Sequence, residues 1–422
     1  MIEALKNYLN TSYTAYHAVE NAAKALSDNG FERIYESEIW RISEGGKYYV
    51  TRAGASLIAF TVGRDPFSEL KIVASHADSP ALKIKENPLM KDSTFIRLNV
   101  EKYGGAILYS FLDRPLKIAG RLITKKDDKL TAKTAVSDYS VIIPSLAIHM
   151  NRSVNDGFAI NPQVDLCPLM GLVGSGDVDL YQTLTDDEVA DADLYLVNAD
   201  TCTDIGVSRE LISAPRVDDL TSVFASVKAI CSTDVISGIN VCAIYNSEEI
   251  GNATATGAEG DFTEAVLNRI RASLGKTEDE YYAALARSFL LSVDVAHSVH
   301  PNHPEKSDPT NRPVLGGGVV IKYNAGGSYV TDGLSSAFIR SVFDGADVPY
   351  QTFHSRSDMP CGSTLGRSFL TRTGMKGCDI GIPQLAMHSA NETFAKSDVT
   401  ALYNGIKALY TAEVSSLSDI NG

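Results

Sequence analysis

Three apolar runs in this chain end the same way, on residues that can hold a metal or move a proton. Leu70–Ala74 (LKIVA) leads into Ser75-His76-Ala77-Asp78, and Asn240–Tyr245 (NVCAIY) into Asn246-Ser247-Glu248-Glu249. The third, starting at Ser288 (SFLLSV), leads into Asp294-Val295-Ala296-His297. Short continuous apolar runs are typical of strands buried on both faces of a parallel sheet. In such sheets the loops beyond the carboxyl ends of the strands converge on one crevice, so these polar residues belong to one place. Helical periods alternate with the strands, near Thr14–Leu26, Thr263–Ser273, Leu334–Phe343 and Ser397–Val414, and a hairpin is read from Trp40 to Val62. The pattern predicts an α/β fold whose mostly parallel sheet carries helices on both faces. Residues from about 90 to 200 break it, with short alternating segments and charged turns such as Lys125-Lys126-Asp127-Asp128. That stretch reads as a second, β-rich unit inserted into the first.

Charge and composition narrow the function. The 422 residues carry 38 Lys and Arg against 52 Asp and Glu, a net charge of −14. An acidic surface repels phosphate backbones, which argues against a nucleic-acid partner. No apolar run approaches the ~18 residues that span a bilayer, which argues against a membrane partner. The polar N-terminal stretch does not read as a secretory signal. Six cysteines, at 167, 202, 231, 242, 361 and 378, have no CxxC spacing, and several sit in apolar surroundings. They read as reduced structural thiols, which suits a cytoplasmic location.

The candidate ligands are imidazoles and carboxylates. Pooling the strand ends gives His76, one Asp from Asp218 and Asp219, one Glu from Glu248 and Glu249, and Asp294. His388, after the apolar IPQLAM, completes the set. Donors of this type without thiolate suit zinc or a similar divalent ion. Five of them suit two ions sharing a carboxylate. In an extended segment, neighbouring side chains point to opposite sides. One member of the Glu pair can then bind metal while the other faces the reacting water, as amide hydrolysis requires.

Read together, His76-Ala-Asp78, Arg216-Val-Asp218, Asn246-Ser-Glu248-Glu249-Ile-Gly251, Ser292-Val-Asp294-Val-Ala-His297 and Ala386-Met-His388-Ser389 resemble the aspartyl aminopeptidase family, peptidase family M18. The likeness runs along nearly the whole chain and includes Tyr103-Gly104-Gly105, Leu146-Ala-Ile-His149, Lys322 and Tyr329. It implies a three-layer α/β/α zinc-peptidase catalytic domain formed by residues 1–91 and 209–422. A β-rich dimerisation domain, residues 92–208, would be inserted in it. The resemblance further implies two zinc ions per subunit, with cobalt or manganese as alternatives. His76 and Asp294 would hold one, Glu249 and His388 the other, and Asp218 would bridge them. Asp219, where the family often has Asn, is left outside that set.

By the same resemblance Glu248 is the general base that relays a proton from the attacking water to the leaving amine. Asp78 would hydrogen-bond the His76 imidazole and fix its tautomer. His297, Lys322 and Tyr329 would contact substrate, and His149 would enter the active site of a neighbouring subunit. The implied activity is removal of N-terminal Asp or Glu from peptides with a free N-terminus, with a buried lysine favouring the acidic side chain. Self-association to dimers and a tetrahedral dodecamer is implied as well. Where the family has two tryptophans after Tyr-Gly-Gly, this chain has Leu108 and Phe111, and Pro115 replaces the Asp after Asp113-Arg114. Two other readings stand beside this one: an M18-type aminopeptidase or deacylase of broader or different specificity, and a non-catalytic assembly protein on the same scaffold.

Overall fold

The computed structural model describes residues 1–174 and 178–414. A nine-stranded sheet forms its centre. From one edge the order is Glu32–Arg33, Lys47–Arg52, Ser56–Val62, Ile239–Tyr245, Leu70–His76, Phe289–Val293, Lys376–Gly381, Val319–Tyr323 and Tyr350–His354. Leu70–His76 lies between Ile239–Tyr245 and Phe289–Val293 and is parallel to both, with His76 opposite Tyr245 and Ala74 opposite Ser292. The carboxyl ends of the three predicted strands are therefore adjacent.

Alternate residues of these strands enter different cores, because successive side chains of a strand point to opposite faces. Val73, Ile244 and Leu291 pack with helices Ile2–Thr11, Ala15–Asp28, Val217–Cys231, Gly333–Gly345 and Lys396–Thr411 on one face. Ile72, Ala74, Val241 and Leu290 pack with Phe262–Ser273, Glu278–Ala286 and Leu365–Thr373 on the other. Three layers result, as the sequence predicts. Each strand is covered twice, which is why it reads as unbroken apolar sequence. The predicted helices are present with ends shifted by a few residues. The final one stops at Thr411 rather than Val414, and the Ile2–Thr11 helix has no counterpart in the sequence reading.

A six-stranded antiparallel sheet stands apart, ordered Lys129–Val136, Leu116–Lys126, Val189–Asn198, Ala81–Lys91, Phe95–Tyr103, Leu169–Leu172. It has its own apolar core around Leu98, Leu116, Ile118 and Leu196. Ala81–Lys91, which precedes the expected division at 91/92, pairs only with strands of this sheet. A third sheet of five short strands includes Leu211–Ala214, Glu392–Ala395, Pro383–Leu385 and Ala296–His297. Among the described residues no helix is long and apolar enough to cross a membrane.

Candidate active site

His76 is the last residue of its strand, and Asp294 follows the end of the neighbouring one. Asp218 opens the Val217–Cys231 helix just after Leu211–Ala214, and His388 lies between the short strands Pro383–Leu385 and Glu392–Ala395. Four segments distant in sequence thus bring their donors together. Nε2 of His76 is 3.2 Å from Oδ1 of Asp218 and 3.8 Å from Oδ1 of Asp294. Nε2 of His388 is 3.4 Å from both Oδ2 of Asp218 and Oε1 of Glu249. Each oxygen of Asp218 consequently faces a different histidine. The cluster is nearly dry: the side chains of His76, Asp218 and Glu249 are 2%, 4% and 3% exposed, while His388 reaches 32%.

Two groups of donor atoms are close enough to share an ion. Those of His76, Asp218 and Glu249 lie within 4.8 Å of one another, and so do those of His76, Asp219 and Asp294. Asp219, omitted from the predicted ligands, is fully buried in this second group, and its Oδ2 accepts the backbone N–H of His76 at 3.2 Å. The Asp218–Asp219 peptide is cis.

The electrostatics are those of a site short of positive charge. Burial raises the Asp219 carboxyl well above its ordinary range, against the pull of His76, and Asp294 and Asp218 push it further. Burial and the neighbouring Asp218 raise Glu249 in the same way. Burial pushes Glu248 up to about 7, opposed by His76 and reinforced by Asp294 and Asp78. Only Asp218 goes down: burial works against its charge, but the imidazoles of His388 and His76 outweigh it. Buried Oδ1 of Asp218, Oδ1 of Asp219 and Oε1 of Glu249 accept no hydrogen bond from the described residues. Buried carboxylate oxygens without donors are costly unless a cation meets them. Hard oxygen with imidazole is a donor set that fits zinc.

Two local expectations are corrected. Glu248 and Glu249 do not lie in extended chain. Ser247 turns left-handed at φ 66°, and Glu248–Ile250 forms a single 3-10 turn. The strand ends before them, so the alternation of extended chain does not apply to this pair. Asp78, expected to hold the imidazole through its carboxylate, uses its backbone carbonyl instead, 3.0 Å from His76 Nδ1. Its nearest carboxylate oxygen stands at 3.5 Å. The carboxylate accepts the amide N–H of Glu248 and of Glu249, each at 3.2 Å, and the hydroxyl of Tyr103 at 2.8 Å.

Glu392 escaped the sequence reading. It is fully buried and accepts the backbone N–H of Asp218 at 3.0 Å and of His388 at 2.8 Å. Burial, with Asp218 nearby, pushes it up to about 8. Its position four residues after His388 is the only trace it leaves in the sequence.

Of the predicted substrate residues, His297 is exposed, its ring 6.0 Å from that of Phe353. Tyr329 packs against the same phenylalanine. Lys322 is 1% exposed, and its ammonium donates to the carbonyls of Asp294 at 2.8 Å and Val295 at 3.1 Å. It lies 3.7 Å from Oδ2 of Asp294 and 5.1 Å from the centre of the Tyr329 ring. His149 stands on an exposed turn.

Comparison with known proteins gives this geometry a family. The model of the aminopeptidase I zinc metalloprotease family (M18) matches residues 8–410. A protein of Clostridium novyi (strain NT) named "Probable M18 family aminopeptidase 2" is 39% identical over 415 residues, covering 93% of this chain and 94% of its own. One of the same name from Ectopseudomonas mendocina is 35% identical over 428 residues, covering 98% of each. Among solved structures, a chain of the Ape4 and Nbr1 complex superposes with a TM-score of 0.94 at 31% identity, covering 99% of this chain and 86% of that one. The mApe1 dodecamer of S. cerevisiae gives 0.85 at 26%, covering 100% and 98%. A cluster of unsatisfied carboxylates and imidazoles at the strand ends, on a chain matched from end to end, identifies this protein as a member of the M18 family of metalloaminopeptidases.

Proposed function

We propose that this M18 enzyme works with two zinc ions and removes N-terminal Asp or Glu from peptides. The observation that carries the reading is the set of buried oxygens, one each on Asp218, Asp219 and Glu249, that accept no hydrogen bond from the described residues. His76 and Asp294 would hold one ion, Glu249 and His388 the other, with Asp218 shared; cobalt and manganese suit the same donors. Bound ions would supply Lewis-acid polarisation of the scissile carbonyl. The remaining work falls to the chain. Glu248 takes a proton from the attacking water and returns it to the leaving amine. Asp78 holds the turn that carries Glu248, and Glu392 holds the backbone of Asp218 and His388 in register. His297, Lys322 and Tyr329 line the place of the departing side chain, where the third N–H of Lys322 would meet an acidic group.

One observation favours a second reading. Because Lys322 already donates to two carbonyls beside a ligand, it can serve as a prop for Asp294, and specificity would then be broader. Comparing hydrolysis of Asp-, Glu-, Leu- and Lys-linked chromogenic substrates decides between them. The first reading expects the acidic pair to be preferred, with Lys322→Ala erasing the preference; equal losses on all four support the prop. Glu248→Gln is expected to keep the metal and lose about 10²–10⁴-fold in turnover, the usual worth of a proton relay. Near-normal turnover would remove Glu248 from its role.

Assembly belongs to the same proposal. Residues 92–208 would form a dimerisation domain inserted between catalytic segments 1–91 and 209–422, carrying His149 to a neighbour's site within a tetrahedral dodecamer. Exposed Leu146, Ile148 and Met150 beside His149 support this, as does the dodecameric state of yeast mApe1.

A further inference from the structure

Tyr103 ends the strand Phe95–Tyr103 of the six-stranded sheet, yet its hydroxyl reaches the active site. It donates to Oδ2 of Asp78 at 2.8 Å. The same oxygen accepts the amide N–H of Glu249, and Oδ1 accepts that of Glu248. A 3-10 turn of three residues has no partner of its own for its leading N–H groups, so an outside acceptor must hold them. Here that acceptor is Asp78, and the orientation of its carboxylate decides where both glutamates point. The two glutamates whose amides it accepts carry the same charge as Asp78 and repel it.

The strand end is fitted to this purpose at three further points. The Tyr103 ring packs edge-on against Tyr195 of the same sheet, with centroids 5.5 Å apart at 82°. Gly104 has φ +73°, and a Cβ there would lie 3.1 Å from Cβ of Glu249, so the backbone comes against the glutamate where a side chain would be strained. The carbonyl of Gly105 lies 3.2 Å from Nδ1 of His388.

We propose that Tyr103 is a positioning residue through which the six-stranded sheet sets the orientation of the turn bearing Glu248 and Glu249. The proposal rests on the roles given above to those glutamates, but the latch itself can be read without them. In Tyr103→Phe the ring packing stays and one hydrogen bond to a charged group goes. Turnover at saturating zinc is expected to fall about tenfold with KM within twofold, the scale of one such bond. Amide hydrogen exchange of the segment 246–251 in the protein as purified should quicken by about the same factor. Tyr195→Phe, which also keeps its ring and whose hydroxyl does not touch Asp78, should change neither quantity.

If Tyr103→Phe leaves exchange at 246–251 within twofold of the parent, the latch does not exist and the proposal falls. If exchange quickens while turnover holds, the latch exists but does not orient the glutamates, and the proposal falls equally. A Glu248→Gln enzyme of near-normal turnover would overturn the functional reading instead, leaving the exchange result as it stands.

Discussion

Buried charge is handled in two ways in this molecule. Away from the strand ends it is satisfied from within. The Arg216 guanidinium donates to the carbonyls of Ser12, Asn198 and Leu9 at 3.0–3.2 Å. Asp379 accepts the Thr364 hydroxyl at 2.6 Å and the Val330 amide at 2.7 Å. Asp398 accepts the amides of Gly316 and Gly318 at 2.8 and 2.9 Å, one on each oxygen. At the strand ends the opposite holds: carboxylates crowd one another, and Oδ1 of Asp218, Oδ1 of Asp219 and Oε1 of Glu249 accept no hydrogen bond from the described residues. The contrast teaches where the chain relies on something it does not contain. A fold-supporting charge brings its partners with it; a ligand keeps an oxygen free.

The largest test of that contrast is Glu249→Gln, which keeps shape and removes charge. Turnover should fall a hundredfold or more (about 10²), the cost of a lost ligand or its support, with zinc content falling by metal analysis. The melting temperature of the metal-stripped protein should nevertheless hold or rise, since a repelled carboxylate has gone. A fall like that of a core substitution would break the comparison. Arg216→Met should behave in reverse: three buried carbonyls lose their donor, and unfolding free energy should drop by about 3 kcal/mol. Denaturant titration should give the same drop with and without metal; a drop seen only in the loaded protein would place Arg216 with the ligands.

The smallest effect is pH-dependent. Burial outweighs the two glycine amides and pushes Asp398 from its ordinary 3.8 up to about 6. The folded state therefore holds a proton that the unfolded state releases between those values. This group's contribution to stability is complete below pH 3.8 and is lost as pH rises through 6. Relative to Asp398→Asn, the parent should lose about 2–3 kcal/mol across that window, at about 1.4 kcal/mol per unit. A flat difference curve would show Asp398 to be as well satisfied in its charged form as its geometry suggests.

The sequence reading went far with what repeats and less far with what does not. Strands covered on both faces announce themselves as apolar runs, and Leu70–His76, Ile239–Tyr245 and Phe289–Val293 lie where they were read. Their polar ends do converge, because topology requires it. Glu392 and Asp219 accept backbone amides and Tyr103 donates to a carboxylate, and such bonds impose no period on the sequence. The turn at Ser247 was hidden for a related reason: a left-handed serine looks like any other serine. Lys322 was read as a lysine of a closed pocket but not as one already tied to two carbonyls, since such partners are groups that any residue could supply. The short Ile2–Thr11 helix, buried only through Leu5 and Leu9, has too few apolar positions to stand out.

The order of strands in the central sheet also sets a timetable. Leu70–His76 leaves the ribosome early, but its two neighbours, Ile239–Tyr245 and Phe289–Val293, are made much later. Pairings so distant in the chain close slowly and late. His388 arrives last of all. If the five donors act as proposed, a chain cut short of His388 would hold four of them and lack the fifth, so the proposed centre is completed only when the last of these segments joins the others.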